Sequence, residues 1–321
     1  MFSISLSTAV LLITGPASAK PLDRDRTMER RVETILVTGA EGFIGRHVVA
    51  ALKGRARVVT PRRNAGGGRV DLLDPDAVAR LIAAERPAIV IHLAWVTEHG
   101  AFWSSPLNAA WERASVALFR LACEHGARRI VGVGSCAEYD WATAPARFAE
   151  AMPLKPHSEY GAAKVRTAEG LAEIAASQGV EWAWGRVFFL FGEGEPAARL
   201  VPRMLAAVRD GESLDIGPGE TERDFWDVRN LGAALAALAC SPVTGPVNLA
   251  SGRATRFDEL AEIIERLAGT HGLIRPGRRD LGPGEPARLV ADATRLREEV
   301  GFTDPVALET GLSDYWNALG D

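Results

Sequence analysis

From Thr34 onward, short apolar runs rich in β-branched residues alternate with longer stretches whose apolar positions recur at helical spacing. Ile35-Leu36-Val37-Thr38 precedes a helical pattern over 43–52, and Arg57-Val58-Val59-Thr60 precedes one over 76–85. Ile89-Val90-Ile91-His92, a helical stretch over 107–125, Arg129-Ile130-Val131-Gly132-Val133, a helix around residue 160 and a strand over 182–187 continue the series. Such alternation predicts an α/β fold, a doubly wound parallel sheet with helices on both faces. After Arg186 glycine and proline become frequent, and helices are expected near 198–209, 230–239, 256–268, 294–300 and 306–319. This part reads as a smaller, mostly helical lobe over the carboxyl ends of the strands, where open α/β sheets bind ligands. The expected division is an N-terminal extension over 1–30, a nucleotide-binding domain over 31–190 and a substrate lobe over 191–321, the last two interleaved.

Gly39, Gly42 and Gly45 are spaced Gly-x-x-Gly-x-x-Gly, directly after the first strand and opening a helix. In that context Gly39 makes the tight turn, Gly42 lets the backbone approach a pyrophosphate, and Gly45 lets the helix pack on the strand. The helix N-terminus adds N–H groups for phosphate, so Phe43 and Ile44 within the turn join the cofactor-binding candidates of a Rossmann-type sheet. The second strand ends Thr60-Pro61-Arg62-Arg63. Two guanidinium groups stand where an NAD enzyme places a carboxylate, which favours NADP, with NAD as the other option. Asp71-Leu72 lies where a carboxylate can take the adenine amino group; an aspartate there serves equally as a cap or turn residue.

Tyr160 and Lys164 are four apart on a predicted helix, so they project from one face and the ammonium can favour the ionised phenol. Tyr160 is thereby the candidate proton donor and acceptor. A net charge of -4 and a pI near 6.0 give no basic surplus for a phosphate backbone, which argues against nucleic acid as a partner. Cys123, Cys136 and Cys240 are odd in number and widely spaced, fitting neither a disulfide framework nor a metal site with paired ligands; a reducing cytoplasm is the simplest compartment. The apolar run over 2–13, followed by Gly15-Pro16-Ala17-Ser18-Ala19, looks like a signal-peptide core, yet no Lys or Arg precedes it. Met28, just ahead of the first strand, is the alternative start, and an over-extended start codon is the preferred reading of residues 1–19. No other stretch is long and apolar enough to span a bilayer, so no membrane partner is expected.

The glycine turn, Asp71-Leu72, His92-Leu93-Ala94, Gly134-Ser135-Cys136-Ala137-Glu138-Tyr139 and Tyr160-x-x-x-Lys164, in this order, resemble the extended short-chain dehydrogenase/reductase family of nucleotide-sugar epimerases, dehydratases and reductases. The similarity runs from about Thr34 to the C-terminus. It implies that Ser135 hydrogen-bonds the substrate oxygen, Tyr160 moves the proton, and Lys164 holds the nicotinamide ribose and depresses the tyrosine pKa. Leu93 and Ala94 enter as cofactor contacts on the same ground. A free phenol, with a pKa near 10, is a poor base at neutral pH, which is why the chemistry needs a cation beside it. Cys136 could face the substrate, although a lone buried cysteine is more often a small hydrophobe. Trp95 and Trp141 could wall the sugar pocket or simply pack.

Dehydratases of this family carry an Asp-Glu pair directly after the serine or threonine; here those positions are Cys136 and Ala137, so elimination of water lacks its acid and base. Two chemistries remain, reduction of a keto-sugar by exchangeable NADPH and epimerisation through a transient 4-keto intermediate with retained NAD. Arg62 and Arg63 tilt the choice to a 4-keto-deoxyhexose reductase. A reductase of a non-sugar carbonyl is a third option. Arg223-Asp224-Phe225 resembles the family segment whose arginine meets the substrate diphosphate, and Arg199, Arg279 and Arg288 could supply a second contact. Phe188 and Trp111 stand where the family often has Asn, which counts against the usual UDP-glucose-type pocket and leaves a deoxy-sugar on dTDP, CDP or GDP open. Family members often dimerise through the helix that carries the tyrosine. Gly161, Ala162, Ala163 and Ala168 suit such a homodimer, or equally a close approach of that helix to the sheet.

Overall fold

A computed structural model describes residues 33–61, 70–96, 98, 100–282 and 284–320. The signal-like run and the pair Arg62 and Arg63 lie outside the described residues. Six parallel strands form the central sheet: β1 (Thr34–Thr38), β2 (Arg57–Val59), β3 (Ile89–His92), β4 (Arg129–Ser135), β5 (Glu181–Val187) and, much later, β10 (Gly245–Leu249). Their spatial order is β10-β5-β4-β3-β1-β2. The chain leaves β1 for the edge strand β2 and then crosses to β3 on the other side of β1. Strand order therefore reverses between β1 and β3, which opens a crevice at their carboxyl ends.

Alternation along each strand divides the core. Ile35, Val37, Ile89 and Ile91 face α1 (Gly45–Leu52) and α6 (Val228–Ala239), meeting Val48, Leu52, Leu231 and Leu235. Leu36, Val90, Ile130 and Trp184 face α2 (Pro75–Glu85), α3 (Leu107–Glu124) and α4 (Glu159–Gln178), meeting Ile82, Leu118, Phe119 and Leu171. Burying each such side chain contributes roughly 1.5–3 kcal/mol, so the sheet is held rigidly from both faces. Helix starts follow local chemistry: Asp74 Oδ1 accepts from the N–H groups of Asp76 (2.9 Å) and Ala77 (3.3 Å) at α2. Ser158 Oγ accepts from Gly161 N–H at 3.2 Å and so fixes the first turn of α4, which carries Tyr160.

The lobe contains α5 (Leu200–Asp210), α7 (Phe257–Ala268) and α8 (Leu308–Ala318) around a core of Val201, Met204, Leu205, Ile216, Phe225, Leu260, Ile264 and Leu312. Short strands tie it together: β6 (Phe189–Phe191) pairs with β9 (Phe225–Asp227), and β7 (Leu214–Asp215) with β12 (Ile274–Arg275). β8 (Glu222–Arg223) lies between β11 (Thr255–Arg256) and β13 (Arg288–Leu289). Two features differ from the sequence pattern. The helix expected over 294–300 is a π-helical turn, Arg295–Glu299, and β10 with α6 returns to complete the sheet. Among the described residues no helix is long and apolar enough to cross a membrane.

Candidate active site

The glycine turn closes against the end of β3. Gly39 has φ +68°, and a Cβ there would stand 2.9 Å from the Ala94 backbone nitrogen, so neither the backbone conformation nor the space suits a side chain. A Cβ on Gly45 would strike the Gly39 carbonyl and Ala40, which is how α1 comes to rest on β1. Ile44, at the N-cap of α1, offers no side-chain acceptor; Arg46 and His47 N–H donate to the Gly42 and Ile44 carbonyls, while the N–H groups of Phe43, Ile44 and Gly45 have no acceptor among the described residues. These features fit a dinucleotide pyrophosphate, which Gly39, Gly42, Phe43, Ile44 and Gly45 would hold. Asp71 Oδ1 accepts from Leu73 N–H at 3.0 Å and so serves its own turn.

A directed hydrogen-bond chain stiffens the crevice. Leu93 and Ala94 N–H groups donate to Thr38 Oγ1 at 3.1 and 3.2 Å, and Thr38 Oγ1 meets His92 Nδ1 at 2.8 Å. His92 Nε2 lies 2.8 Å from Ser115 Oγ, which in turn donates to the Trp111 carbonyl at 2.6 Å. With Ser115 committed as donor, Nε2 carries the imidazole proton and Nδ1 accepts from threonine. Burial, with Lys164 nearby, lowers the His92 pKa to about 3, so the ring is neutral.

Ser135 ends β4. Its N–H donates to Glu138 Oε1 at 2.8 Å, and its Oγ accepts from Ala137 N–H at 3.2 Å. Glu138 is fully buried, yet takes Trp184 Nε1 at 3.0 Å and Arg186 Nε at 2.8 Å, and Arg186 goes on to the Tyr139 hydroxyl and the Glu150 carbonyl. Gly134 is required above this pair, because a Cβ would occupy the place of Glu138 Oε1 and the Trp184 ring.

Tyr160 lies in the first turn of α4, its N–H donating to the Trp103 carbonyl at 3.1 Å and its ring edge-on to Phe102 at 4.8 Å. Burial raises the phenol pKa, while the Ser135 hydroxyl pulls the other way. One turn on, Lys164 is 5 % exposed; its Nζ donates to the Val133 carbonyl at 2.8 Å and lies 5.9 Å from the centre of the Tyr160 ring. Burial lowers its pKa to about 7, against the pull of Glu138. Gly161 and Ala163 face inward, and a Cβ on Gly161 would meet the Ala137 carbonyl and Pro156, so this small-residue face lets α4 approach the loop that carries Ser135.

A cleft of about 1100 Å³ opens over these groups. Ser135, Cys136, Tyr160, Arg199 and Arg223 all line it, as does Trp141. Trp95 does not: it is buried behind the cleft wall with its indole over Lys164. Cys136 is buried, and desolvation pushes its thiol up to about 12, so it presents an inert small hydrophobe. Arg223 is 1 % exposed; its guanidinium lies between Phe189 and Phe257, one nitrogen donating to Glu285 at 2.8 Å, and its Nε has no partner among the described residues. Arg279 and Arg288 stand outside the cleft lining, Arg288 pairing instead with Glu222. Sequence reasoning missed Glu195, a buried cleft residue whose carboxyl burial raises to about 8, and the rings of Phe102, Trp103, His157 and Phe257. Only folding brings these together, so no local spacing announces them.

Residues 35–250 match the model of the NAD-dependent epimerase/dehydratase family. The chain belongs to this family. Among relatives of the NAD-dependent epimerase/dehydratase enzyme, dTDP-6-deoxy-L-talose 4-dehydrogenase (NAD(P)(+)) of Kitasatospora kifunensis is 27% identical over 88% of this chain and 95% of its own. The dTDP-4-dehydro-6-deoxy-D-allose reductase of Streptomyces bikiniensis is 28% identical over 88% of this chain and 94% of its own. In fold, the chain is similar to UDP-N-acetylglucosamine 4-epimerase of Methanobrevibacter ruminantium in complex with UDP-N-acetylmuramic acid, with a TM-score of 0.80 and 25% identity, over 90% of this chain and 98% of that one.

Proposed function

We propose that the protein is an NADP-dependent reductase of a 4-keto group on a nucleotide-linked deoxyhexose. The observation that carries this reading is the convergence of Ser135 and Tyr160 on one cleft that also holds Arg199 and Arg223, with Lys164 buried one helical turn behind the tyrosine. The two curated relatives above, both acting on dTDP-deoxyhexoses by name, support the substrate class. The glycine turn would hold the pyrophosphate of the dinucleotide and Lys164 its nicotinamide ribose, and the nicotinamide would supply hydride chemistry when bound. Ser135 Oγ donates to the substrate carbonyl oxygen and orients it. Tyr160, kept protonated by its burial, delivers its proton to that oxygen as alkoxide character develops. Arg223, planar and braced between two rings, takes a diphosphate oxygen through its Nε, which has no partner among the described residues.

Incubation with NADPH and a dTDP-4-keto-6-deoxyhexose tests the reading: oxidation of NADPH with one-to-one formation of the 4-hydroxy sugar is expected. Protein that purifies with NAD, interconverts 4-epimers and consumes no NADPH would instead be a 4-epimerase. Arg62→Ala and Arg63→Ala should erase a preference for NADPH over NADH; an unchanged preference rejects their assignment to the 2′-phosphate.

A further inference from the structure

The Lys164 ammonium has three N–H donors and, among the described residues, one hydrogen-bond acceptor, the Val133 carbonyl. Its other neighbour is an aromatic face: Nζ lies 3.7 Å from the centre of the Trp95 indole. The charged and titratable groups around it are few. Glu138, from the turn after β4, favours the ammonium; His92, at the end of β3, is neutral; Tyr160, on its own helix, is protonated. Burial meanwhile drives the amine towards its neutral form near pH 7, so a modest contribution decides its charge.

Trp95 is itself held in place. It is 9 % exposed, and its indole N–H donates to Asn108 Oδ1 on α3 at 2.9 Å. Asn108, buried, spends its amide N–H on the Phe102 carbonyl at 2.7 Å, and the Phe102 ring meets the Tyr160 ring at 4.8 Å. A circuit thus runs from Lys164 through Trp95, Asn108 and Phe102 to Tyr160, and closes through one turn of α4. Trp95 is absent from the cleft lining, and its contact with the site is with Lys164.

We propose that Trp95 is a positioning residue: its indole face keeps the Lys164 ammonium charged and fixed beside Tyr160, and Asn108 aims that face. This rests on the reading of Lys164 as the cofactor-ribose and tyrosine partner. A desolvated cation over tryptophan is among the stronger cation–π arrangements, and a leucine of similar burial offers no negative face.

The test is a titration of lysine side chains by NMR with ¹³C-labelled lysine. The chain has four lysines, Lys20, Lys53, Lys155 and Lys164, so the Lys164 signal is assignable by its loss in Lys164→Met. Trp95→Leu should lower the Lys164 midpoint by about one pH unit, a tenfold loss of proton affinity, and Trp95→Phe by less. An identical midpoint in wild type and Trp95→Leu overturns the proposal. Should Trp95→Leu fail to fold, biosynthetic replacement of tryptophan by fluorinated analogues keeps the shape while draining the ring face. The midpoint should then fall stepwise with fluorine count, and a flat series overturns the proposal. The titration needs neither substrate nor turnover. If Lys164→Met keeps wild-type NADPH affinity and turnover, the site reading fails on its own account, whatever the Trp95 variants show.

Discussion

At the scale of single residues, the proposed reaction hangs on the Tyr160 hydroxyl rather than its ring. The ring is gripped by Phe102 and Trp103, contacts that phenylalanine keeps. Tyr160→Phe should therefore leave NADPH affinity within about twofold while lowering turnover by a factor of roughly 10²–10⁴, the range for loss of a positioned acid. Stopped-flow binding and steady-state rates separate the two; a mutant that still turns over near the wild-type rate removes Tyr160 from the mechanism. Glu138 presents the opposite case, a buried carboxylate that acts by holding others. Glu138→Ala would strand the Arg186 charge inside the protein, and urea unfolding should show a loss of about 3–5 kcal/mol. A loss below about 1 kcal/mol would mean that Arg186 finds another partner. The sequence displayed Tyr160, Lys164 and Ser135 as candidates because the chemistry proposed for them depends on type and spacing. It did not display Glu138 as the clamp on the serine N–H, since its partners Trp184 and Arg186 lie on another strand.

At the scale of elements, strands β1 to β5 and helices α1 to α4 were legible because each pattern is local and strong. Their ends moved by a residue or two where a cap decides, as with Asp74 at α2. β10 escaped notice because Gly245-Pro246-Val247-Asn248-Leu249 carries only two apolar strand formers, and its buried Asn248 is explained by partners far off in sequence, accepting from the Tyr139 hydroxyl at 2.7 Å and donating to the Phe148 and Asp292 carbonyls. His92 binds three elements together, joining β1 through Thr38 to α3 through Ser115. Its pKa falls from the ordinary 6.5 to about 3 in the folded chain. Between those values the unfolded chain takes up a proton that the folded one refuses, so stability declines as pH falls through this window. His92→Leu should cost about 1–3 kcal/mol at pH 7.5, because Thr38 and Ser115 lose a partner, yet show a shallower decline between pH 6.5 and 4. Urea midpoints along that range decide it: parallel curves for the two proteins would show that His92 does not set the acid limb.

At the scale of the whole molecule, the cleft draws on both the sheet and the lobe. Ser135, Tyr160 and Phe188 come from the carboxyl ends of the sheet, and Arg199, Arg223 and Phe257 from the lobe. A ligand that spans it binds only the folded arrangement, so it stabilises by mass action, by about 2.7 kcal/mol at a hundredfold excess over its Kd. For a chain of this size that corresponds to a rise in Tm of about 4 °C. Thermal unfolding with NADP or NAD, each alone and paired with dTDP, UDP, GDP or CDP, should show one rise for the dinucleotide and a second for the preferred diphosphate. Arg223→Met keeps most of the side-chain volume between Phe189 and Phe257, so it should abolish the second rise and spare the first. A mutant in which both rises persist would take Arg223 out of diphosphate binding. The two increments also report where the ligands meet: sites without shared contacts add within a few tenths of a kcal/mol, whereas ligands in contact do not. A joint rise clearly above the sum is expected, because the proposed reduction requires the substrate carbonyl and the nicotinamide to touch beside Ser135 and Tyr160.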